Sequence, residues 1–521
     1  MSETHSNPPR RGSPQESSPL LPSASPHHHH RHYDHEAAAS NDISNNNNNN
    51  DASSEETTLH RGLQPHHLSM LGIAGSIGTG LFLGLGHAIR LAGPLGSLLA
   101  YLTVGLVVCA VQFALGEVAA LMPLTGGFVR HAEVLIDPAW AFATGWNLVY
   151  GNALSIPSEI TAVCVLVGFW AGDGDGDGTA VGIQGGRGGS GGEGGAVGMS
   201  VGMQVLVILI FIALTVLVGF SFVRIFGEVE YYFALLKIAL VISLILLGLI
   251  IDFGLIPGSS PLWFKYWHDP GPFVEFIATG PWGRFLGYWN VMTGAVFSFA
   301  GVESIAMAAA ETKNPREAIP MACKKVFVRL VVFYMLATLV VGMLVSSDDA
   351  RLDNTSGSAA QSPFVIAAST AGIPFIASIV NAVVITSAWS ASNQCLLAGT
   401  RVLYGLALKG QAPKVFLRTT SWGTPYMCVL LFAVLMFLSL MSLSRGALTA
   451  FWWLVELTAA GVLVSWSTIL LNHVRLKMAM RRQGIPTESL PWHNSWTSRL
   501  SLWRLRMKLI LVQSTALRLV C

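Results

Sequence analysis

Gly75-Ser76-Ile77-Gly78-Thr79-Gly80 lies inside an apolar run from Leu68 to Leu91, and Phe297-Ser298-Phe299-Ala300-Gly301-Val302-Glu303-Ser304 lies inside another from Phe285 to Ala310. Both runs can cross a bilayer core, which takes about 20 apolar residues. Neither reads as an undisturbed helix. In the first, three glycines fall within six residues, and each weakens a helix by up to about 1 kcal/mol. The second holds a glycine and a carboxylate in mid-span. Small residues that merely let helices pack closely would explain either run alone. Unwound backbone at membrane depth is tolerated where it lines a cavity. There its free N–H groups suit a carboxylate and its free C=O groups an ammonium, so an amino acid zwitterion fits such a site.

Working outward, ten apolar segments stand out: Leu68–Leu91, Leu95–Met122, Ala139–Trp170, Met203–Phe220, Tyr231–Ile251, Phe285–Ala310, Val326–Val345, Phe364–Leu403, Pro425–Leu443 and Phe451–Leu471. The third and eighth exceed one bilayer thickness and must tilt or include flanking helix. The two disturbed runs are the first and the sixth. They hold corresponding positions in two five-helix halves, the pattern of an inverted-repeat transporter. The fold class expected is therefore an all-α polytopic membrane protein of about ten transmembrane helices in a 5+5 inverted repeat.

Composition agrees. The 521 residues are 52% hydrophobic and 12% charged, about half the charged fraction of a soluble domain. A net charge of +2 gives no reason to expect a nucleic acid partner. Six cysteines without a CxxC spacing argue against a disulfide framework or a metal site. No Gly-Lys pair occurs, so the GxxxxGK[ST] nucleotide loop is excluded, and no cofactor is expected. No cleavable signal peptide opens the chain. Residues 1–60 are polar and low in complexity, with His27 to His30 and Asn45 to Asn50; they read as a disordered tail. Asp173-Gly174-Asp175-Gly176-Asp177-Gly178 resembles the start of a calcium loop. Its twelfth position is Gln184 rather than Glu, so a flexible linker is expected instead.

Loop charges orient the spans. Lys313, Arg316, Lys324, Lys325 and Arg329 follow the sixth, Arg401, Lys409, Lys414 and Arg418 follow the eighth, and Arg475, Lys477, Arg481 and Arg482 follow the tenth. The opposite loop carries Asp348, Asp349 and Asp353. The positive-inside rule then puts both termini in the cytoplasm and the sequon at Asn354 outside, open to glycosylation.

Several blocks carry a family resemblance. Gly75–Gly84, Gly145-Trp146-Asn147, Pro157-Ser158-Glu159-Ile160-Thr161, Gly227-Glu228-Val229-Glu230, Phe299–Ser304, Glu311-Thr312-Lys313-Asn314-Pro315-Arg316 and Arg401-Val402-Leu403-Tyr404-Gly405-Leu406-Ala407 belong to a set of blocks that runs in order from about residue 61 to 494, with the transmembrane domain expected over 61–475. Together they resemble the fungal amino acid permeases of the amino acid–polyamine–organocation superfamily. The resemblance implies a LeuT-type core and proton-coupled amino acid uptake at the plasma membrane. It also implies roles at matching positions. Backbone N–H groups around Gly78, Thr79 and Gly80 would hold the substrate carboxylate. Carbonyls at Ser76, Ala300 and Gly301 would meet the ammonium, Phe297 would close over the substrate, and Glu303 is the acid of the sixth-span motif. A non-transporting amino acid sensor or an inactive truncated permease are the alternatives; flux separates them.

Ionisable residues in apolar spans cost about 2.5–3.5 kcal/mol each to insert, so Glu117, Glu159, Lys237, Glu303 and Glu456 should face the bundle interior. Lys237 is the first lysine in the chain. By the resemblance it stands where a sodium ion sits in related transporters, which makes it the candidate for proton coupling. Glu303, Glu117 and Glu159 are candidates for coupling or gating. With no lysine before the first span, a ubiquitin ligase partner would have to use later lysines such as Lys313, Lys324 or Lys477.

The family normally has twelve spans. Here Arg499, Arg504, Arg506, Lys508 and Arg518 interrupt the sequence after Asn494, so the eleventh and twelfth are expected to be missing and 476–521 to form a cytoplasmic or aberrant tail.

Overall fold

A computed structural model describes residues 77–82, 84–124, 126–171, 200–221, 223–256, 260–303, 321, 323–325, 330–353, 362–370, 375–421, 423–445 and 447–492. All of them lie within the unit 56–521. Ser76, Asn354, Lys313, the Gly-rich insert at 172–199 and the tails at 1–60 and 493–521 fall outside the described residues.

The described chain is helical. Its long elements are α1 (Gly84–Leu121), α2 (Gly127–Leu135), α3 (Pro138–Ala171), α4 (Val201–Gly219), α5 (Val223–Asp252) and α6 (Gly280–Ser298). They continue with α7 (Leu336–Leu344), α8 (Pro363–Thr370), α9 (Phe375–Leu408), α10 (Tyr426–Met436) and α11 (Ala447–Arg482). Among the described residues, five helices are long and apolar enough to cross a membrane: Gly84–Leu121, Pro138–Gly168, Val201–Gly219, Phe226–Asp252 and Thr449–Arg482.

The solvent these helices are built for shows in α4. Its buried positions are Gln204, Ile208, Ile212 and Thr215, one stripe at helical spacing. Leu206, Leu209, Ile210 and Leu217 are exposed. A helix that turns its glutamine and threonine inward and its leucines outward is arranged for hydrocarbon, not water.

The chain kinks between the first and second predicted spans inside α1, at Gly93 (φ 75°, ψ 174°) followed by Pro94. A Cβ there would stand 2.8 Å from the Pro272 carbonyl oxygen, so both the left-handed backbone and the lack of space require glycine. Within the run predicted over Phe364–Leu403 lie α8 and α9, with 371–374 outside the described residues. One expectation changes in detail. The last helix passes both Leu471 and the domain boundary expected at 475, and ends at Arg482. It does so because Asn472, His473, Leu476, Lys477 and Met480 are all buried, giving the extension its own inner face.

α3 lies at the centre, packed along α9 on one side and α11 on the other. Polar contacts set the α3–α11 register. Trp140 Nε1 donates to Thr468 Oγ1 (3.1 Å), and Thr144 and Thr468 share a hydrogen bond (3.2 Å). Asn147 Nδ2 donates to the Gly461 carbonyl (2.8 Å) and to Ser465 Oγ (3.2 Å).

Candidate functional site

In both disturbed segments the described residues include backbone that is not helical. Ile77 and Gly78 are not helical, and a short helix starts at Thr79 (Thr79–Phe82). In the sixth span α6 stops at Ser298, and Phe299 to Glu303 run as turns with Gly301 at φ 86°. Each break frees carbonyls that a buried chain must satisfy. Neighbouring helices do so: Ser387 Oγ of α9 donates to the Ile77 carbonyl (2.8 Å), and Gln112 Nε2 of α1 donates to the Val302 carbonyl (2.9 Å). Tyr334 OH donates to the Ser298 carbonyl (2.6 Å), and its ring stacks on Phe299 at 4.0 Å between centroids.

The breaks meet at one cavity, with an empty volume of about 860 Å³ including its open mouth. Gly78, Gly80, Glu159, Phe297, Ala300, Gly301 and Glu303 are all in its wall. Thr79, fully buried, joins the first break to α3: its Oγ1 donates to Glu159 Oε2 at 3.0 Å. Glu303 Oε2 accepts from Trp466 Nε1 of α11 (3.0 Å). Phe297 is buried and meets Phe451 edge to face at 6.2 Å.

Lys237 is 1% exposed, so its charge sits wholly inside the protein. It is not in the cavity wall. Its Coulombic attraction reaches two carboxylates, Glu159 and Glu230. Glu230 was absent from the sequence-derived site. Its Oε2 accepts from Ser390 Oγ (2.6 Å) and from Gln394 Nε2 (2.9 Å), and Gln394 is in the cavity wall. The missed signal was spacing: Glu230 precedes Lys237 by seven positions, which puts both on one helix face.

Glu117, a candidate for coupling or gating, is not at the cavity. It is fully buried in a separate cluster, 2.6 Å from His473 Nε2 and 2.9 Å from Lys477 Nζ. That ion pair also withdraws Lys477 from the lysines open to ubiquitin, since its side chain is buried against Glu117. Lys324 remains exposed. Outside the spans, the α2 helix contributes Phe128 to the cavity wall. α2 is anchored by Asn472 Nδ2 donating to the Phe128 carbonyl (2.9 Å), and by His131, whose Nε2 lies 2.6 Å from the Met122 carbonyl. Burial lowers the His131 pKa to about 4, so its ring is neutral at physiological pH.

Phe297 carries a prediction. As an aromatic wall over the cavity, its ring face matters more than its bulk. Phe297→Ala is expected to cut uptake by about tenfold or more, the order of a lost aromatic contact, and Phe297→Tyr by far less. Equal uptake by the two variants, normalised to surface protein, would reduce Phe297 to packing.

Two broken helices converging on a buried polar cavity, within a bundle of helices suited to a bilayer, define a polytopic transporter. The fold is shared with the crystal structure of a manganese transporter from Eremococcus coleocola, with a TM-score of 0.52 at 11% identity over 89% of each chain. Residues 67–514 match the amino acid permease family. The chain is 35% identical to a dicarboxylic amino acid permease of Saccharomyces cerevisiae, over 82% of this chain and 67% of the relative. It is 36% identical to a proline-specific permease of Emericella nidulans, over 82% of this chain and 74% of the relative. The protein belongs to the amino acid permease family and moves amino acids across a membrane.

Proposed function

We propose that this permease takes up amino acids at the plasma membrane by proton coupling, with a LeuT-type 5+5 core and both termini in the cytoplasm. The observation that carries the reading is the junction at Thr79. Its hydroxyl ties the broken first span to Glu159 (3.0 Å), and Glu159 in turn feels the charge of Lys237. Backbone N–H groups around Gly78, Thr79 and Gly80 receive the substrate carboxylate. Carbonyls at Ala300 and Gly301, with Glu303 alongside, receive the ammonium. Ser76 takes the carbonyl role assigned to it from the sequence. The Lys237–Glu159–Thr79 relay then lets the protonation state of the buried lysine bear on the geometry of the first break. Glu117, with His473 and Lys477, acts as a structural tie between α1 and α11 and influences gating without touching substrate.

The transporter reading is favoured over a non-transporting sensor by membership of the amino acid permease family. The test is uptake of a mixture of radiolabelled neutral amino acids into sodium-free proteoliposomes with an imposed inward proton gradient. Accumulation that collapses with a protonophore is expected. Binding without flux would favour the sensor, and uptake that requires sodium would overturn proton coupling.

A further inference from the structure

A second cavity stands in line with the first, with an empty volume of about 420 Å³ including its mouth. The same three segments wall both, and on each the second wall is displaced toward the same side. In the chain after the first break, Gly80 belongs to the first wall and His87 to the second. In α6, Phe297 belongs to the first, and Thr293 and Asn290 to the second. In α11, Thr458 and Gly461 belong to the first, and Trp452 and Glu456 to the second. Residue numbers rise along the first of these segments and fall along the other two, as they do in helices that run in opposite directions. With both termini in the cytoplasm, the second cavity lies on the outer side of the first.

What separates the two is aromatic. Phe297 is buried in the first wall and meets Phe451 edge to face at 6.2 Å. Phe451, 1% exposed, belongs to neither wall and meets Trp452 at 5.2 Å. Trp452 is in the second wall, with the His87 ring 4.6 Å away. A molecule arriving from outside therefore meets the second cavity before it meets Phe297.

The chemistry of the second wall suits the two ends of an amino acid. Glu456 is half-buried in an apolar span, and among the described residues no hydrogen bond or ion pair engages its side chain. A carboxylate placed in a span without a counter-charge marks a route for substrates or ions. Trp452 stands four positions earlier, one turn away on the same helix face. An ammonium held by Glu456 is thus also near an indole ring, which attracts cations. Asn290 and Thr293 of α6 bring a carboxamide and a hydroxyl, both donors to a carboxylate. Space is left for the ligand as well. Gly294 is in this wall, and a Cβ there would meet nothing within 4 Å.

Resting on the reading of the first cavity as the substrate site, we propose that the second is an outer binding site for the incoming amino acid. Glu456 and Trp452 take its α-ammonium, and Asn290 and Thr293 take its carboxylate. The amino acid is held there until Phe297 gives way and admits it to the substrate cavity.

The test uses whichever neutral amino acid of the proteoliposome mixture is taken up fastest, radiolabelled and alone. Glu456→Gln keeps the shape and removes the charge. It is expected to raise the half-saturating concentration for uptake by about tenfold or more, the worth of a hydrogen bond to a charged group, with a much smaller change in maximal rate. Glu456→Asp should recover part of the loss. Gly294→Leu fills the outer cavity from a helix that need not move. It is expected to cut uptake by about tenfold or more, yet to bind the labelled amino acid in detergent, where both sides of the protein are open to solution. An unchanged half-saturating concentration in Glu456→Gln overturns the proposal, as does uptake at the full rate by Gly294→Leu. Loss of binding by Gly294→Leu would assign that position to the substrate cavity and overturn the separate outer site. Absence of uptake by the unsubstituted protein would instead strike the transport reading, and this proposal with it.

Discussion

Gly80→Leu is expected to abolish uptake, by about a hundredfold or more, the loss that follows when reacting or binding groups are misplaced by about 1 Å. A Cβ at Gly80 would stand 2.9 Å from both Cα and Oγ of Ser298 and 3.0 Å from Phe297 Cδ1. The nearest obstacle is therefore backbone at the end of α6, which cannot rotate out of the way. The two breaks must separate to admit any side chain, and the cavity opens between them. A control on the same span distinguishes loss of the site from loss of the fold. At Gly84 a Cβ would meet only Tyr101 OH at 3.6 Å and Ser298 Oγ at 3.8 Å, ordinary contacts that should accommodate Gly84→Ala. Uptake is measured per molecule at the cell surface. Undiminished transport by Gly80→Leu would remove the pocket from the junction of the two breaks.

The second large effect belongs to Lys237. This buried ammonium attracts Glu159 and Glu230 together. Removing one member of a buried charge group leaves the others uncompensated, at a cost of about 3–5 kcal/mol. Lys237→Ala is expected to retain some exchange of amino acid across the membrane and to lose accumulation against a gradient. One charge moving through 100 mV supplies about 2.3 kcal/mol, enough for roughly fiftyfold accumulation at 1.4 kcal/mol per decade. The variant should fall to near onefold. Lys237→Arg should be arrested, because a guanidinium does not deprotonate in proteins. Proteoliposomes with an imposed pH gradient, with and without sodium, read both outcomes. PH-driven accumulation by Lys237→Ala at the unsubstituted level would sink the coupling role.

Much of the site was legible in one dimension because its signals are local. Glycines crowded at Gly75, Gly78 and Gly80 mark a weakened helix whatever packs around it. Gly301 and Glu303 mark another. Lys237 and Glu159 stand out by the cost of placing charge in an apolar run. Glu230 did not stand out, although it lies near Lys237 in the chain. Its significance comes from Ser390 and Gln394, 160 and 164 residues away. The role of Glu117 stayed open between coupling and gating for the same reason. A carboxylate in an apolar span looks alike in sequence at a cavity and in a structural ion pair, and its partner His473 is 356 residues distant.

By itself, then, the sequence determined which segments suit a bilayer and where two of them cannot remain helical, since both follow from hydropathy and backbone freedom within about twenty consecutive residues. Which buried polar groups share the cavity was decided only by tertiary structure. α3, α9 and α11 bring Glu159, Gln394 and Thr458 to one wall, and the direction in which each amide faces depends on whether the helix beside it presents a carbonyl, a carboxylate or a hydroxyl. That is a property of packing between distant segments.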